Sequence, residues 1–394
     1  MRRFYVSLFC VGLIAALAAC SRTGGPSPLP PGTMPSFERP EAGSFKVIYT
    51  FKNLPDAESP AGAMIALNGT LYGTTQAGGQ AGAGAVFAAT TAGKERVVHS
   101  FGQSRDGVFP EAGMVVVAGT FYGTTANGGS GFGTVFKTDK AGHERIVYSF
   151  KGGNDGNAPY AGLAAYKGTL YGVTLAGGGS ANCSQGCGTV FAVTPAGKER
   201  IVYRFKGGSD GSGPLGTLIA VNATLYGTTS NGGKNGGGTI FKTSTSGGEK
   251  VLHSFGSGFD GSEPEAGLVS LGGKLYGTTN NGGKNFSGTV FQATTSGGES
   301  VIHSFKGGSD GANPEASLVA LNGRLYGTTA GGGSANQGTI FSVSTSGSES
   351  VLHALNGGDG NDPRAALTPA GGTLYGTASL GGGTGVGTIF KVSP

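Results

Sequence analysis

Between residues 45 and 394 the chain alternates short apolar runs with polar, glycine-rich breaks, and no stretch carries a helical period. The segment from Gly113 to Phe150 shows the pattern. Its four runs, Met114–Val117, Phe121–Thr125, Thr134–Thr138 and Arg145–Phe150, are rich in β-branched and aromatic residues and read as strands. Ala118-Gly119 turns the first run into the second, as Asn68-Gly69, Gly272-Gly273 and Asn322-Gly323 do elsewhere. Such dipeptides tolerate positive φ and so favour tight hairpins. A glycine-rich loop, Asn127–Gly133, joins the second and third runs, and Asp139–Gly142 turns the third into the fourth.

The unit recurs along the chain. Near-copies of LYGTT place Tyr72, Tyr122, Tyr171, Tyr226, Tyr276, Tyr326 and Tyr375 at intervals of 50, 49, 55, 50, 50 and 49 residues. Repeats of this kind bury their apolar faces against their neighbours. Four antiparallel strands per unit, seven times over, predict an all-β fold, a seven-bladed β-propeller with four antiparallel strands per blade. A β-solenoid fits less well, because its coils are shorter and carry fewer hairpin turns. Closing the ring also removes the exposed ends of a linear stack. The first repeated element, Val47–Phe51, is of the fourth-strand type, and the last, Gly387–Lys391, is of the third-strand type. The N-terminal strand is therefore expected to close the ring, with 46–51 beside 387–392. Within LYGTT, alternation separates Leu225 and Gly227 from Tyr226 and Thr228. Glycine in a strand implies close approach, and Gly227 is expected to leave room for a side chain of the adjacent blade.

The fifty-residue period and the LYGTT…GG…GTVF…VLHSF pattern resemble the Gloeobacter/Verrucomicrobia (GloVer) tandem-repeat family over essentially all of 45–394. The resemblance implies an exported, propeller-like protein of the choice-of-anchor type. It implies no activity.

Ahead of the repeats, Arg2 and Arg3 precede an apolar run, Phe4–Leu17, that is short for a membrane span and is followed by small residues. Residues 1–19 read as a signal peptide. Leu17-Ala18-Ala19-Cys20 resembles the bacterial lipobox, which implies lipidation at Cys20, and Ser21 behind it implies the outer membrane or cell surface. Several acyl chains on one cysteine anchor stably. The alternative is a soluble secreted protein cut after an A-x-A-like site. Residues 20–44, rich in proline, glycine and serine, are expected to form a flexible tether before a folded domain at 45–394. Membrane contact is then through the lipid anchor only.

Glycine is 81 of 394 residues, a fraction that alone would suggest disorder, yet the glycines fall at fixed places between strands. Without Arg2 and Arg3 the net charge falls from +5 to +3, too small to argue for nucleic acid. A monomer is expected. Of the four cysteines, Cys183 and Cys187 lie within the repeats, and an exported chain makes a small disulfide loop the first reading. A metal site on this pair lacks a third ligand nearby. No metal and no cofactor are expected.

The turn D-G-x-x-P leads into each new unit at Asp106, Asp155, Asp210, Asp260 and Asp310, with variants at Asp56 and Asp359. A feature in every blade reads as scaffold, each aspartate capping its own loop amides. The loop T-T-x-x-G-G-x-x-x-x-G-T lacks the G-K-[ST] ending and the following helix of a phosphate cradle. His99, His253, His303 and His353 share one fourth-strand slot with Tyr49, Tyr148 and Tyr203. That exchange argues for packing with a polar tip rather than for proton transfer or metal binding. No nucleophile–histidine–acid set is visible.

Function is therefore sought where blades differ. The inter-blade turns and the second-to-third-strand loops are expected to share the face around the channel mouth. That face would gather Arg105, Phe109, Glu111, Tyr160, Lys234, Glu265, Lys284, Phe286, Glu315 and Arg364 as candidate ligand contacts, together with the insertion Asn182–Gly186. The first expectation is a surface-anchored binding or scaffold lipoprotein recognising a protein or polysaccharide. The second is an envelope lyase or hydrolase acting on a glycan or lactone, with carboxylates such as Glu265 and Glu315 at the channel mouth. The third is a passive structural protein.

Overall fold

The computed structural model describes residues 44–102 and 106–394. Residues 1–19 (read as a signal peptide), Cys20, nearly all of the segment expected to be a tether, and Arg105 lie outside the described residues. Within them, seven antiparallel sheets form a seven-bladed β-propeller. In blade 2 the strands are Val115–Val117, Thr120–Thr125, Thr134–Thr138 and Arg145–Ser149, within a residue of the bounds expected from the pattern. The short first strands of neighbouring blades meet around the axis, and the fourth strands form the outer rim.

Blade 7 is composite. Thr368–Ala370, Thr373–Ala378 and Thr388–Val392 supply three strands, and Phe45–Thr50 supplies the fourth. The register runs from Phe45 opposite Val392 to Thr50 opposite Thr388, and the Phe51 N–H donates to the Gly387 carbonyl at 3.0 Å. The seam is the one the order of strand types predicts.

The LYGTT strand joins a blade to both neighbours. Leu225 is buried in the cluster shared with blade 3, whereas Tyr226 is buried in the cluster shared with blade 5. There are seven such clusters, one for each interface. At the centre of six of them a phenylalanine ending one fourth strand meets the third-strand phenylalanine of the next blade, as Phe205 meets Phe241 at 5.0 Å edge to face. Leu355 takes that place between blades 6 and 7. The Thr228 hydroxyl crosses to the next blade and donates to the Ala266 carbonyl at 2.9 Å.

Gly227 makes room for something other than expected. It pairs with Phe241 of its own blade, and a methyl group on it would lie 2.7 Å from the Phe241 ring and 2.7 Å from Leu218. The space serves the blade's own ring, because the two residues are cross-strand partners on one face. A second glycine does face an adjacent blade. Gly297, with φ 117°, lies in the turn before the fourth strand, and a Cβ there would fall 2.6 Å from the Leu252 carbonyl oxygen of the preceding blade. Leu252 is the unpaired residue of a β-bulge, and bulges turn a carbonyl out of the ladder in this way.

Candidate functional site

The proline of D-G-x-x-P fixes the chain as it enters each first strand, so the residue behind it arrives at the axis in every blade. These residues are Ala61, Glu111, Tyr160, Leu215, Glu265, Glu315 and Arg364, and together they line an axial cavity of about 490 Å³. The rest of its wall is largely glycine and alanine, such as Gly62, Gly113 and Gly267, with apolar Met114, Leu163, Leu218, Ile219 and Leu268. The backbones approach too closely there for bulk, since a Cβ on Gly267 would sit 2.5 Å from the Thr217 carbonyl oxygen.

Arg364 organises the cavity. Its Nε lies 2.7 Å from Asp362 Oδ2 and 3.4 Å from Glu315 Oε2. Burial pushes the carboxyl of Glu315 up, against the pull of Arg364. Burial also raises Glu265, with Glu263 adding to the shift, and raises Glu111, whose Oε1 accepts from Gln76 at 2.8 Å. Burial and the nearby Glu111 raise the Tyr160 phenol. The cavity thus presents three carboxyls held toward their neutral form, one guanidinium and one phenol among apolar walls. Such a set can donate and accept hydrogen bonds to a polar ligand.

The structure brings together five of the residues expected to gather at the mouth, namely Glu111, Tyr160, Glu265, Glu315 and Arg364. It does not bring the other described candidates there. Lys234, Lys284 and Phe286 are exposed on the second-to-third-strand loops. Those loops lean outward onto the fourth strand, where the Gly237 N–H donates to the Phe255 carbonyl at 3.1 Å and Asn285 Nδ2 donates to that of Phe305 at 3.2 Å. Phe109 is 39% exposed at positive φ, its N–H held by the Ala83 carbonyl, and it does not line the cavity. Cys183 and Cys187 are bonded, with Cα atoms 5.2 Å apart, and they pack behind Gly207 away from the axis.

A second set of ionisable groups lies on the outer rim, and the sequence reading missed one member of it. Each loop aspartate accepts backbone N–H groups of its own turn, as Asp260 Oδ1 does from Gly256 and Ser257. It also meets the histidine or tyrosine of the preceding strand. Tyr49, Tyr148 and Tyr203 donate to Asp56, Asp155 and Asp210 at 2.7, 2.9 and 2.8 Å. His99, His253, His303 and His353 bring Nε2 to 3.0, 3.1, 3.3 and 2.8 Å from Asp106, Asp260, Asp310 and Asp359. The missed member is the glutamate at the head of the next blade's fourth strand: Glu95, Glu144, Glu199, Glu249, Glu299 and Glu349. Each of these buries an Oε1 that has no hydrogen-bond partner. A glutamate four residues before the histidine or tyrosine slot at the same fifty-residue period was the available signal. Burial, reinforced by the facing aspartate, raises Glu95 and Glu249 to about 8 and Glu144, Glu199, Glu299 and Glu349 to about 7. A cleft of about 1200 Å³ opens over the first two of these interfaces, lined by Tyr49, Asp56 and Glu95 and by His99, Asp106 and Glu144. Its lining is the repeated interface, so the blade-specific chemistry belongs to the axial cavity.

A family model for the Gloeobacter/Verrucomicrobia repeat matches residues 31–184 and 180–390. A search of curated proteins finds no match. Among solved structures, the chain is similar to a protein of unknown function from Bacteroides thetaiotaomicron VPI-5482, at 13% identity and TM-score 0.50, covering 89% of this chain and 75% of that one. It is similar to a candidate 6-phosphogluconolactonase from Bacteroides uniformis ATCC 8492, at 16% identity and TM-score 0.53, covering 78% and 88%. It is also similar to puromycin hydrolase, at 14% identity and TM-score 0.51, covering 81% of this chain but 50% of that one. At these identities the likeness is one of fold.

Proposed function

We propose a binding role for this chain, which belongs to the Gloeobacter/Verrucomicrobia repeat family: its axial cavity takes a polar ligand, either a glycan segment or a loop of a partner protein. One observation carries the reading. The post-proline position has one placement in all seven blades, yet its side chains differ, and three carboxyls, Tyr160 and Arg364 converge on a single cavity. A passive scaffold has no need of such divergence. Carboxyls, a phenol and a guanidinium facing one cavity suit hydroxyl-rich ligands, since together they both donate and accept. Under this proposal the tether and an acylated Cys20 hold the propeller at the outer membrane, with the cavity free to bind.

The test is a glycan array followed by calorimetry on the mature protein. Selective binding that Glu315→Ala or Arg364→Ala weakens by about tenfold or more supports the reading, the loss expected when one hydrogen-bonding partner in a buried site is removed. Binding indifferent to both substitutions refutes it. Glu265 and Glu315, both pushed up by burial, also favour a second reading, a glycan or lactone hydrolase or lyase, because acid catalysis uses a carboxyl raised above its ordinary range. Turnover abolished by Glu265→Gln or Glu315→Gln would select that reading over simple binding.

A further inference from the structure

We propose that the interfaces between blades 1 and 2, 4 and 5, and 5 and 6 each bind one divalent transition-metal ion, with Zn²⁺ as the probe, through His99, Asp106 and Glu144, through His253, Asp260 and Glu299, and through His303, Asp310 and Glu349.

The ligand atoms of each set lie within 4.8 Å of one another. In the second set His253 Nε2 is 3.1 Å from Asp260 Oδ2 and 3.8 Å from Glu299 Oε2. Two nitrogen or oxygen ligands on a tetrahedral zinc at roughly 2.0–2.1 Å lie about 3.4 Å apart, so the ion fits with sub-ångström shifts. The independent pointer to a ligand is the unsatisfied glutamate, a buried Oε1 that recurs in six blades but lies beside both a histidine and an aspartate only in these three. The Glu299 side chain is 6% exposed, sits within this set, and keeps a buried Oε1 with no partner. At the third set His303 Nε2 is also buried, and its 3.3 Å contact with Asp310 Oδ2 is not aligned as a hydrogen bond. Buried polar groups are normally satisfied, and repeated exceptions at one position call for a missing partner. One imidazole with two carboxylates suits a borderline ion such as Zn²⁺ better than Ca²⁺, which prefers six or more oxygens. Three protein ligands leave a coordination position for water. Each ion would join the fourth strand of one blade, the turn behind it and the fourth strand of the next.

The other four interfaces are built-in controls. Three place a tyrosine where the histidine stands, and its hydroxyl donates to the aspartate at 2.7–2.9 Å. At the fourth, Phe45 occupies the glutamate position and stacks on His353 at 3.7 Å. The exchange of histidine for tyrosine, read from sequence as packing alone, thus marks three incomplete ligand sets, and the phenylalanine at the glutamate position marks the fourth.

The experiment is Zn²⁺ titration of the chelator-treated mature protein, with bound metal counted by mass spectrometry. The wild type is expected to hold three more equivalents than the triple variant His99→Tyr/His253→Tyr/His303→Tyr. The tyrosine blades show that this side chain fits the slot, and a cooperative melt checks that the variant folds. Each single variant should lose one equivalent, and Tyr148→His, facing Asp155 and Glu199, should gain one. X-ray absorption at the zinc edge, which needs no variant, should show nitrogen and oxygen at about 2.0 Å with one imidazole per ion and no sulfur. A difference of fewer than three equivalents, no gain in Tyr148→His, or a sulfur shell overturns the proposal.

Discussion

The seam can be tested by a single side chain. Phe51 is fully buried at the interface between blades 7 and 1, 5.2 Å from Phe87 and edge to face with it. Phe205 holds the equivalent place between blades 3 and 4, equally buried and 5.0 Å from Phe241. Phe205 lies in the middle of the chain, whereas Phe51 directly follows the first described strand. If Phe45–Thr50 truly completes blade 7, the two residues are energetically equivalent. Replacing a buried phenylalanine by alanine costs about 3–5 kcal/mol, including the cavity left behind. A ring of about 350 residues gains roughly 0.7 kcal/mol per kelvin of unfolding entropy at its midpoint, so either substitution should lower Tm by about 4–7 °C.

The assay is thermal and guanidinium unfolding of the wild type, Phe51→Ala and Phe205→Ala side by side. Equal losses are the expected result. If the N-terminal strand were an appendage that frays before the rest melts, Phe51→Ala would leave the main transition unmoved while Phe205→Ala lowered it. A loss for Phe51→Ala below about 1 kcal/mol, with Phe205→Ala at the full value, would refute the closed ring.

Other consequences can be measured independently. At the tyrosine interfaces Glu95, Glu199 and Glu249 are raised from 4.5 to about 8, 7 and 8 by burial and the facing aspartates. The native state therefore holds protons that the unfolded chain releases, so this contribution to stability is full below pH ~4.5 and is lost as pH rises through 7 to 8. Tm should fall between pH 5 and 8.5, and Glu95→Gln/Glu199→Gln/Glu249→Gln, which mimics the protonated form, should flatten the fall. Gly227→Ala should cost about 1–3 kcal/mol by overpacking against Phe241 and Leu218, both 2.7 Å from the added carbon. Gly298→Ala, whose nearest neighbour is Thr294 at 3.4 Å, should be near neutral in the same denaturation series. Removing the bond between Cys183 and Cys187, four residues apart, should cost at most about 2 kcal/mol because the loop it closes is so short, less than either phenylalanine above.

What the chain disclosed in advance was set by periodicity. LYGTT and GTVF recur often enough that strand count, blade number and seam could be read from spacing, and all three stand in the structure. Alternation also separated Leu225 from Tyr226, but it could not say which neighbour a glycine faced. Cross-strand pairing with Phe241 decides that, and pairing depends on register. The site was legible in part. Proline behind each turn delivers Glu111, Tyr160, Glu265, Glu315 and Arg364 to the axis, and the repeat made that position visible. Lys234, Lys284 and Phe286 looked equivalent as loop residues, yet hydrogen bonds from their loops to the fourth strands draw them outward. The rim glutamates went unnoticed because each belongs to one blade and acts on the turn of another, a juxtaposition that only ring closure creates.

The division between repeated and divergent positions also decides how a ligand would sit. Every position that builds an interface, from Leu225 and Tyr226 to the phenylalanine ladder, recurs around the ring and so carries no direction. The axial positions break that symmetry. Blades 5, 6 and 7 contribute Glu265, Glu315 and Arg364 as one contiguous charged arc, and blades 1 and 4 contribute Ala61 and Leu215. A ligand on the axis therefore meets two unequal polar arcs, this one and a shorter one made by Glu111 and Tyr160 of blades 2 and 3, with apolar positions between them. That asymmetry fixes its rotation about the axis, which a seven-fold symmetric mouth would leave undetermined. Moving the charge tests the argument. Leu215→Glu combined with Glu315→Leu preserves composition but relocates one carboxyl to the far side of the guanidinium. If the arc positions the ligand, the double variant should bind at least as weakly as Glu315→Leu alone. Restored affinity would mean that net charge at the mouth, rather than its placement, controls binding.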